Sequence, residues 1–299
     1  MHGKPAIGFI GVGFMGHGMA KNIIEKGYSL TILGHRNRMP VDDLVKRGAN
    51  EAKTAAELAS SCDIIFICVT GSPQIEALVR GKNGLAGEAR KGLIIVDCST
   101  ADPTSTLALA TELAPLGVHF IDAPLGGTPA QAEAGKLWAM IGAPLEAFEQ
   151  VKPVCEAWAA RVDHVGKVGD GHKMKLLNNF LSMGYGAIYA EALTLAQKTG
   201  ISPKVFDSVL RGSRMDCGFY QTYMDYVLTR NRDAHKFTIA NAVKDMRYLA
   251  ALADAEGVAN PVGSAVKNSY AAALAAGKGD EFVPMLSDFV AAGSGVTLG

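Results

Sequence analysis

The chain has 299 residues, 48% hydrophobic and 19% charged, with 29 Lys+Arg against 29 Asp+Glu and a formal net charge of zero. That composition excludes a disordered chain and fits one large or two medium domains, while the charge balance argues against a broad nucleic-acid footprint. The five cysteines (Cys62, Cys68, Cys98, Cys155 and Cys217) are odd in number and form no Cys-x-x-Cys pair, so they read as reduced thiols and not as a disulfide frame or zinc site.

The chain opens on no charged leader with an apolar segment and cleavage site, so the expected location is the cytoplasm. Ala6 to Ile10 is a short apolar run ending at a glycine cluster. A helix is expected from Met15 to Lys26, stopped by Gly27, and a second strand from Ser29 to Leu33. Asp63 to Val69 and Leu93 to Asp97 are continuous apolar runs, the pattern of strands covered on both faces. Helices are expected between them near 41–47, 54–60, 74–79 and 103–114. Further strands are expected at 118–123, 137–141 and 162–165. Alternating strands and helices imply a parallel, doubly wound sheet.

The texture changes after Gly166. Ala, Leu, Met and Lys dominate from Lys173, and helices are expected at 173–198, 203–210, 219–228, 239–256, 261–276 and 282–291. The expected architecture is therefore an α/β dinucleotide-binding domain over 1–166, followed by an all-helical domain over 167–299. The uncharged stretch 176–190 is apolar nearly all round, too short for a bilayer span, and reads as a buried helix in a core or at a subunit interface. The glycine-rich tail 292–299 reads as loose. Trp138, Trp158 and the methionines read as core. The histidines show no metal-ligand spacing, so no metal is expected.

Gly11-Val12-Gly13-Phe14-Met15-Gly16 stands between a strand and a helix. Gly11 permits the tight turn, Gly13 lets the backbone approach a pyrophosphate, and Gly16 lets the helix lie close to the strand. The end of the second strand selects the nucleotide. An NAD site usually offers a carboxylate there, about 20 residues on. Here the stretch is His35-Arg36-Asn37-Arg38, and no acidic residue occurs between Glu25 and Asp42. Arg36 and Arg38 suit a ribose 2′-phosphate, so NADP is expected before NAD. A solvated basic loop is the plainer reading.

The second motif is Gly169-Asp170-Gly171-His172-Lys173-Met174-Lys175-Leu176-Leu177-Asn178-Asn179. Lys175 and Asn179 are spaced i, i+4 and share a helix face. A lysine shielded from water can act as general acid or base, and Asn179 can orient it or hold a substrate. Taken alone, such a pair is usually a surface face. Lys173 and His172 read as solvated or structural.

Five elements together raise that reading. Phe9 to Ala20 resembles the N-terminal signature of the β-hydroxyacid dehydrogenase family, which includes 3-hydroxyisobutyrate dehydrogenase. Asp97-Cys98-Ser99-Thr100 resembles its Asp-x-Ser-Thr element. Asp122-Ala123-Pro124-Leu125-Gly126-Gly127 resembles its substrate loop, Gly169 to Asn179 its catalytic helix, and Lys244-Asp245-Met246 the Lys-Asp pair of its helical domain. The resemblance covers essentially the whole chain, in order. It implies a Rossmann domain joined by a long helix to an all-helical domain, paired into homodimers or homotetramers.

The resemblance also implies roles for single residues. Lys175 would be the general acid/base, and Asn179 would orient the substrate. Lys244 would lie near cofactor or substrate. Val69 and Thr70, opening the loop that runs to Pro73, would line the nicotinamide-ribose side, and Thr100 would sit by the nicotinamide, touching substrate as well. Phe14, Met15 and His35 fall within the nucleotide stretches. One departure stands out: Gly126 replaces the family's serine, followed by Gly127 and Thr128. Thr128 can supply the missing hydroxyl, and the Gly126 and Gly127 amides can form an anion nest for a small carboxylate-bearing substrate. The implied activity is hydride transfer between NAD(P) and a small 3-hydroxy acid or semialdehyde. An imine reductase on the same scaffold is the first alternative, although Lys175 argues against it, and a non-catalytic nucleotide-binding relative is the second.

Overall fold

Continuous apolar runs with no polar face force a strand to be covered on both sides, and that requirement organises residues 3–299, which the computed structural model describes. Strands β1 (Ile7–Ile10), β2 (Leu30–Leu33), β3 (Asn50–Ala52), β4 (Ile64–Ile67), β5 (Ile94–Asp97) and β6 (His119–Asp122) are all parallel, in the order β3-β2-β1-β4-β5-β6. Helices α1 (Gly16–Glu25), α2 (Met39–Lys46), α3 (Ala55–Ser61), α4 (Ser72–Arg80) and α5 (Pro103–Leu113) connect them. Alternate side chains enter two cores. Phe9, Phe66, Val96 and Ile121 lie in one, and Ile10, Ile65, Ile95 and Phe120 in the other. Trp158 meets Phe66 edge-on at 6.1 Å in the first core.

The sheet is not wholly parallel as the pattern implied. Strands β7 (Leu125–Gly126) and β8 (Leu137–Gly142) are followed by β9 (Ala159–Gly166). β8 runs antiparallel to both β6 and β7, and parallel to β9. Short α6 (Pro129–Glu133) lies between β7 and β8, and α7 (Leu145–Cys155) between β8 and β9. Trp138 is not a core residue. It is half-buried on β8, its indole N–H donates to Asp163 Oδ2 at 2.7 Å, and Arg161 lies over its ring.

The chain divides into two compact units that part between Lys175 and Leu176. Helix α8 (Asp170–Lys198) runs across that division. In the second unit follow α9 (Pro203–Leu210), α10 (Gly218–Thr229), α11 (Ile239–Ala255), α12 (Pro261–Ala275) and α13 (Leu286–Gly293). Its core holds Tyr220, Tyr223, Tyr270, Met224 and Met246. Ser202 and Thr238 cap α9 and α11, each hydroxyl accepting a first-turn N–H. One expectation fails here. The tail is anchored: Leu298 is buried in the helical core, and Arg230 donates to the Gly299 carbonyl at 2.6 Å. Of the two places expected for the stretch 176–190, a core and a subunit interface, the core of the chain does not enclose it all round, because Leu177, Leu181, Tyr185 and Ile188 form an exposed stripe on α8. Met39 and Met215 are exposed as well, not core. Among the described residues, no helix is long and apolar enough to cross a membrane.

His235 shows how burial sets a charge state in this unit. Its ring stands edge-on to Phe219 at 5.0 Å, its Nδ1 lies 3.2 Å from Thr222 Oγ1, and burial pushes its pKa down from 6.5 to about 4. A base whose folded pKa lies below its unfolded value favours the neutral ring. That stability is complete above the unfolded value and is lost as pH falls from 6.5 toward about 4. Chemical denaturation between about pH 7.5 and about pH 4.5 should show a loss of about 2.5 kcal/mol that His235→Gln lacks. Equal pH dependence in the two proteins would refute it.

Candidate active site

The glycine turn follows from close approach. Gly11 has φ +96°, and a Cβ on it would run into the Cys68 carbonyl oxygen. A Cβ on Gly16 would run into the Gly11 carbonyl and Phe9. Both positions therefore exclude side chains, and α1 starts hard against β1. Its N-terminus has no side-chain cap and no acidic residue in the first turn. The His17 N–H is taken by the Gly13 carbonyl at 2.9 Å, so the other amides of the turn are the ones a phosphate can take, with the helix dipole behind them. Phe14 is 85% exposed at the tip of the turn, and Met15 is half-buried. These residues fit a dinucleotide.

His35, Arg36 and Arg38 are all exposed beyond β2. Arg36 makes no ion pair among the described residues, whereas Arg38 grips Glu51 through both terminal nitrogens and also reaches Asp42. The two arginines, equivalent in sequence, are not equivalent in structure.

The loops after β4 and β5 are tied to each other. The Val69 N–H donates to Ser99 Oγ at 3.0 Å, and the Asp102 N–H donates to Ser72 Oγ at 2.8 Å. Thr70 and Thr100 lie on these two loops, Thr70 exposed and Thr100 half-buried.

The first turn of α8 is pinned to the same loops. Asp122, at the end of β6 and fully buried, accepts the Gly169 N–H on Oδ1 at 2.6 Å and the His172 N–H on Oδ2 at 2.7 Å. Burial pushes its carboxyl up, while His172 and the two amides oppose that shift. Gly171 and Gly142 make room, since a Cβ on either would crowd an Asp122 oxygen. His172 is fully buried, not solvated, with Nε2 3.2 Å from the Ser99 carbonyl and Nδ1 2.8 Å from Thr106 Oγ1. Lys175 follows three residues later and is half-buried. The sequence reading missed the Asp122–His172 anchor because it spans separate motifs.

In the second unit, Asn179 is buried and its amide donates to Asp245 Oδ2 at 2.6 Å. Lys244 lies 3.0 Å from Asp245 Oδ1 and over the Tyr248 ring. Asn179, Lys244 and Asp245 thus form one polar cluster.

The loop after β6 explains its own glycines. Gly126 pairs with Trp138 across the β7–β8 ladder, and a Cβ there would come 2.9 Å from the indole Cε3. A serine at 126 would therefore collide with Trp138. Gly127 has φ +124°. Thr128 caps α6: its Oγ1 accepts the Gln131 N–H at 3.3 Å, and Gln131 Oε1 accepts the Thr128 N–H at 2.9 Å. The α6 end is fixed to α1 by His17, whose ring nitrogens lie 2.6 Å from Glu133 and 3.0 Å from Asp43.

Residues 6–166 match the family profile described as the NAD binding domain of 6-phosphogluconate dehydrogenase. Residues 169–286 match the one described as NAD-binding of NADP-dependent 3-hydroxyisobutyrate dehydrogenase. The chain is 34% identical over 207 residues to 2-(hydroxymethyl)glutarate dehydrogenase of Eubacterium barkeri, covering 68% of this chain and 67% of that one. It is 28% identical over 292 residues to 3-sulfolactaldehyde reductase of Escherichia coli, covering 98% of each. A crystal structure of 3-hydroxyisobutyrate dehydrogenase from Salmonella typhimurium superposes with a TM-score of 0.85 at 26% identity, covering 95% of this chain and 99% of that one.

Proposed function

The chain belongs to the β-hydroxyacid dehydrogenase family and is an NAD(P)-dependent oxidoreductase, and from that premise we propose that it interconverts a small 3-hydroxy acid and its semialdehyde, with Lys175 as general acid/base. The nicotinamide, when bound, supplies or accepts the hydride. Lys175 gives a proton to the carbonyl oxygen in reduction and takes it from the hydroxyl in oxidation. The observation that carries this reading is the anchoring of the α8 first turn to the Ser99 carbonyl through His172, next to Thr100 and one turn before Lys175. Thr100 and Thr70, on the two loops joined by Ser72 and Ser99, border the nicotinamide side. On the family resemblance, Asn179 is assigned to orient the substrate and Lys244 to lie near cofactor or substrate.

The substrate carboxylate is met by the main-chain amide of Gly127, because the Thr128 hydroxyl is engaged in its capping box and Gly126 is paired with Trp138 in the β7–β8 ladder. The exposed stripe on α8 is the face we assign to a second copy of the chain, giving a homodimer or a pair of dimers. The five free thiols support a reducing, cytoplasmic setting.

NADP is the proposed preference over NAD, on the strength of Arg36, whose guanidinium makes no ion pair among the described residues. Following nicotinamide absorbance with NADPH and NADH against succinic, tartronic and methylmalonic semialdehydes, glyoxylate and a cyclic imine tests the reaction. Turnover of a semialdehyde is expected, and silence on all aldehydes with turnover of the imine would overturn it. Arg36→Asp should move preference toward NADH by about tenfold or more, the loss of one charge-assisted contact. An unchanged ratio would reduce the basic loop to a solvated surface.

A further inference from the structure

The end of β2 in this chain carries no acidic residue, yet a carboxylate stands there. Glu51 on β3 is the register partner of Ile32 on β2, one position before the pair Leu33↔Ala52. Its two oxygens take Arg38 Nη1 at 2.6 Å and Nη2 at 2.9 Å. The pair lies across the backbone of Gly34, where a Cβ would run into Glu51 Oε1 and Arg38 Nη1. The position that meets the adenosine ribose in this fold is thus covered by a carboxylate and a guanidinium holding each other.

A carboxylate there suits the 2′-hydroxyl of NAD, and a guanidinium suits the 2′-phosphate of NADP. We propose that Glu51 is the specificity-determining residue at this site, moderating the NADP preference by holding Arg38 back and by repelling a 2′-phosphate. The proposal rests on the nucleotide site proposed above. Arg38 in turn keeps the Glu51 carboxyl below the usual carboxylate range, so it stays charged at neutral pH. Both side chains are substantially exposed, and such pairs open easily, so each partner is available to a competing ligand. Among the described residues Arg36 makes no ion pair, and Arg38 becomes available only against Glu51.

The test is direct binding, independent of any substrate. Dissociation constants for NADPH and NADH are measured by nucleotide fluorescence for the full chain and for Glu51→Gln, Arg38→Gln and the double variant. Glu51→Gln should raise the NADPH-over-NADH preference by roughly three- to tenfold, chiefly by tightening NADPH. Arg38→Gln should shift it the opposite way, by freeing Glu51 for the ribose hydroxyl. The double variant should differ from the product of the two single effects, because the partners share one interaction. A pair that merely braced the loop would move both nucleotides in the same direction in both single variants, and that result would overturn the proposal. So would an unchanged ratio in Glu51→Gln with both nucleotides still bound. Failure of the unaltered chain to bind either nucleotide would instead remove the nucleotide site itself, and this proposal with it.

Discussion

Lys175→Ala should lower turnover by about 10²–10⁴-fold, the usual loss of a positioned general acid/base, and leave nucleotide affinity nearly unchanged. The separation follows from where the two functions sit. The glycine turn and Arg36 lie at β1 and β2, whereas Lys175 rides on the first turns of α8. Lys175→Arg sharpens the test. Arginine keeps the positive charge but does not release its proton at any working pH, so a pure electrostatic role would survive the change and proton transfer would not. Both variants should therefore be slow, and the pH dependence of kcat that Lys175 imposes should vanish in both. Near-normal turnover in Lys175→Arg would mean that the lysine only attracts a carboxylate. Near-normal turnover in Lys175→Ala would remove it from the chemistry altogether.

The sheet was legible in the sequence wherever a strand is buried on both faces. Ile64–Ile67 and Ile94–Asp97 are such strands, and no helix-period reading competes there. β3 was illegible for the opposite reason. Asn50-Glu51-Ala52 is short, polar and at the sheet edge, so nothing in it repeats, and the carboxylate it delivers to the end of β2 was invisible with it. α6 is one turn long and begins at a proline, and α7 carries Pro153 inside it. α6 falls below what periodicity detects, whereas α7 carries a helical period in Ala147, Phe148, Val151, Val154 and Cys155 that its internal proline masked. An apolar helix face does not say in the sequence whether it meets a core or another surface, and on α8 part of that face stays open in the single chain.

The candidate site was legible as motifs and illegible as a network. Gly11, Gly16 and Lys175 each announce themselves by spacing. The role of Asp122 does not, since its partners are backbone amides 47 and 50 residues away. Gly171 is explained only by that contact. It has an ordinary helical φ and no conformational need to be glycine, but any side chain there would displace the carboxylate or the Met140 carbonyl.

That network makes Asp122→Ala the substitution with the largest expected effect on stability. Asp122 is fully buried and, among the described residues, is the acceptor for two N–H groups at the start of a 29-residue helix. Removing it strands both donors at about 1–3 kcal/mol each and deletes a negative charge from the positive end of the helix dipole. The total, about 3–5 kcal/mol, should lower the melting temperature by roughly 10 °C for a domain of this size. Asp122→Asn keeps one acceptor oxygen and turns the other into a donor facing a donor, so it should lose about half as much stability. Function gives the second readout. The turn that frays is the one carrying His172 and leading to Lys175, so kcat should fall in Asp122→Asn at temperatures where the protein is fully folded. Nucleotide affinity at the Gly11–Gly16 turn should stay within about twofold, since that turn follows β1, whose Ile10 carbonyl accepts the Cys68 N–H, and is not held by α8. An Asp122→Ala protein that melts with the unaltered chain would show that water replaces the carboxylate at both amides. An Asp122→Asn protein with full kcat would show that the α8 first turn holds Lys175 without it.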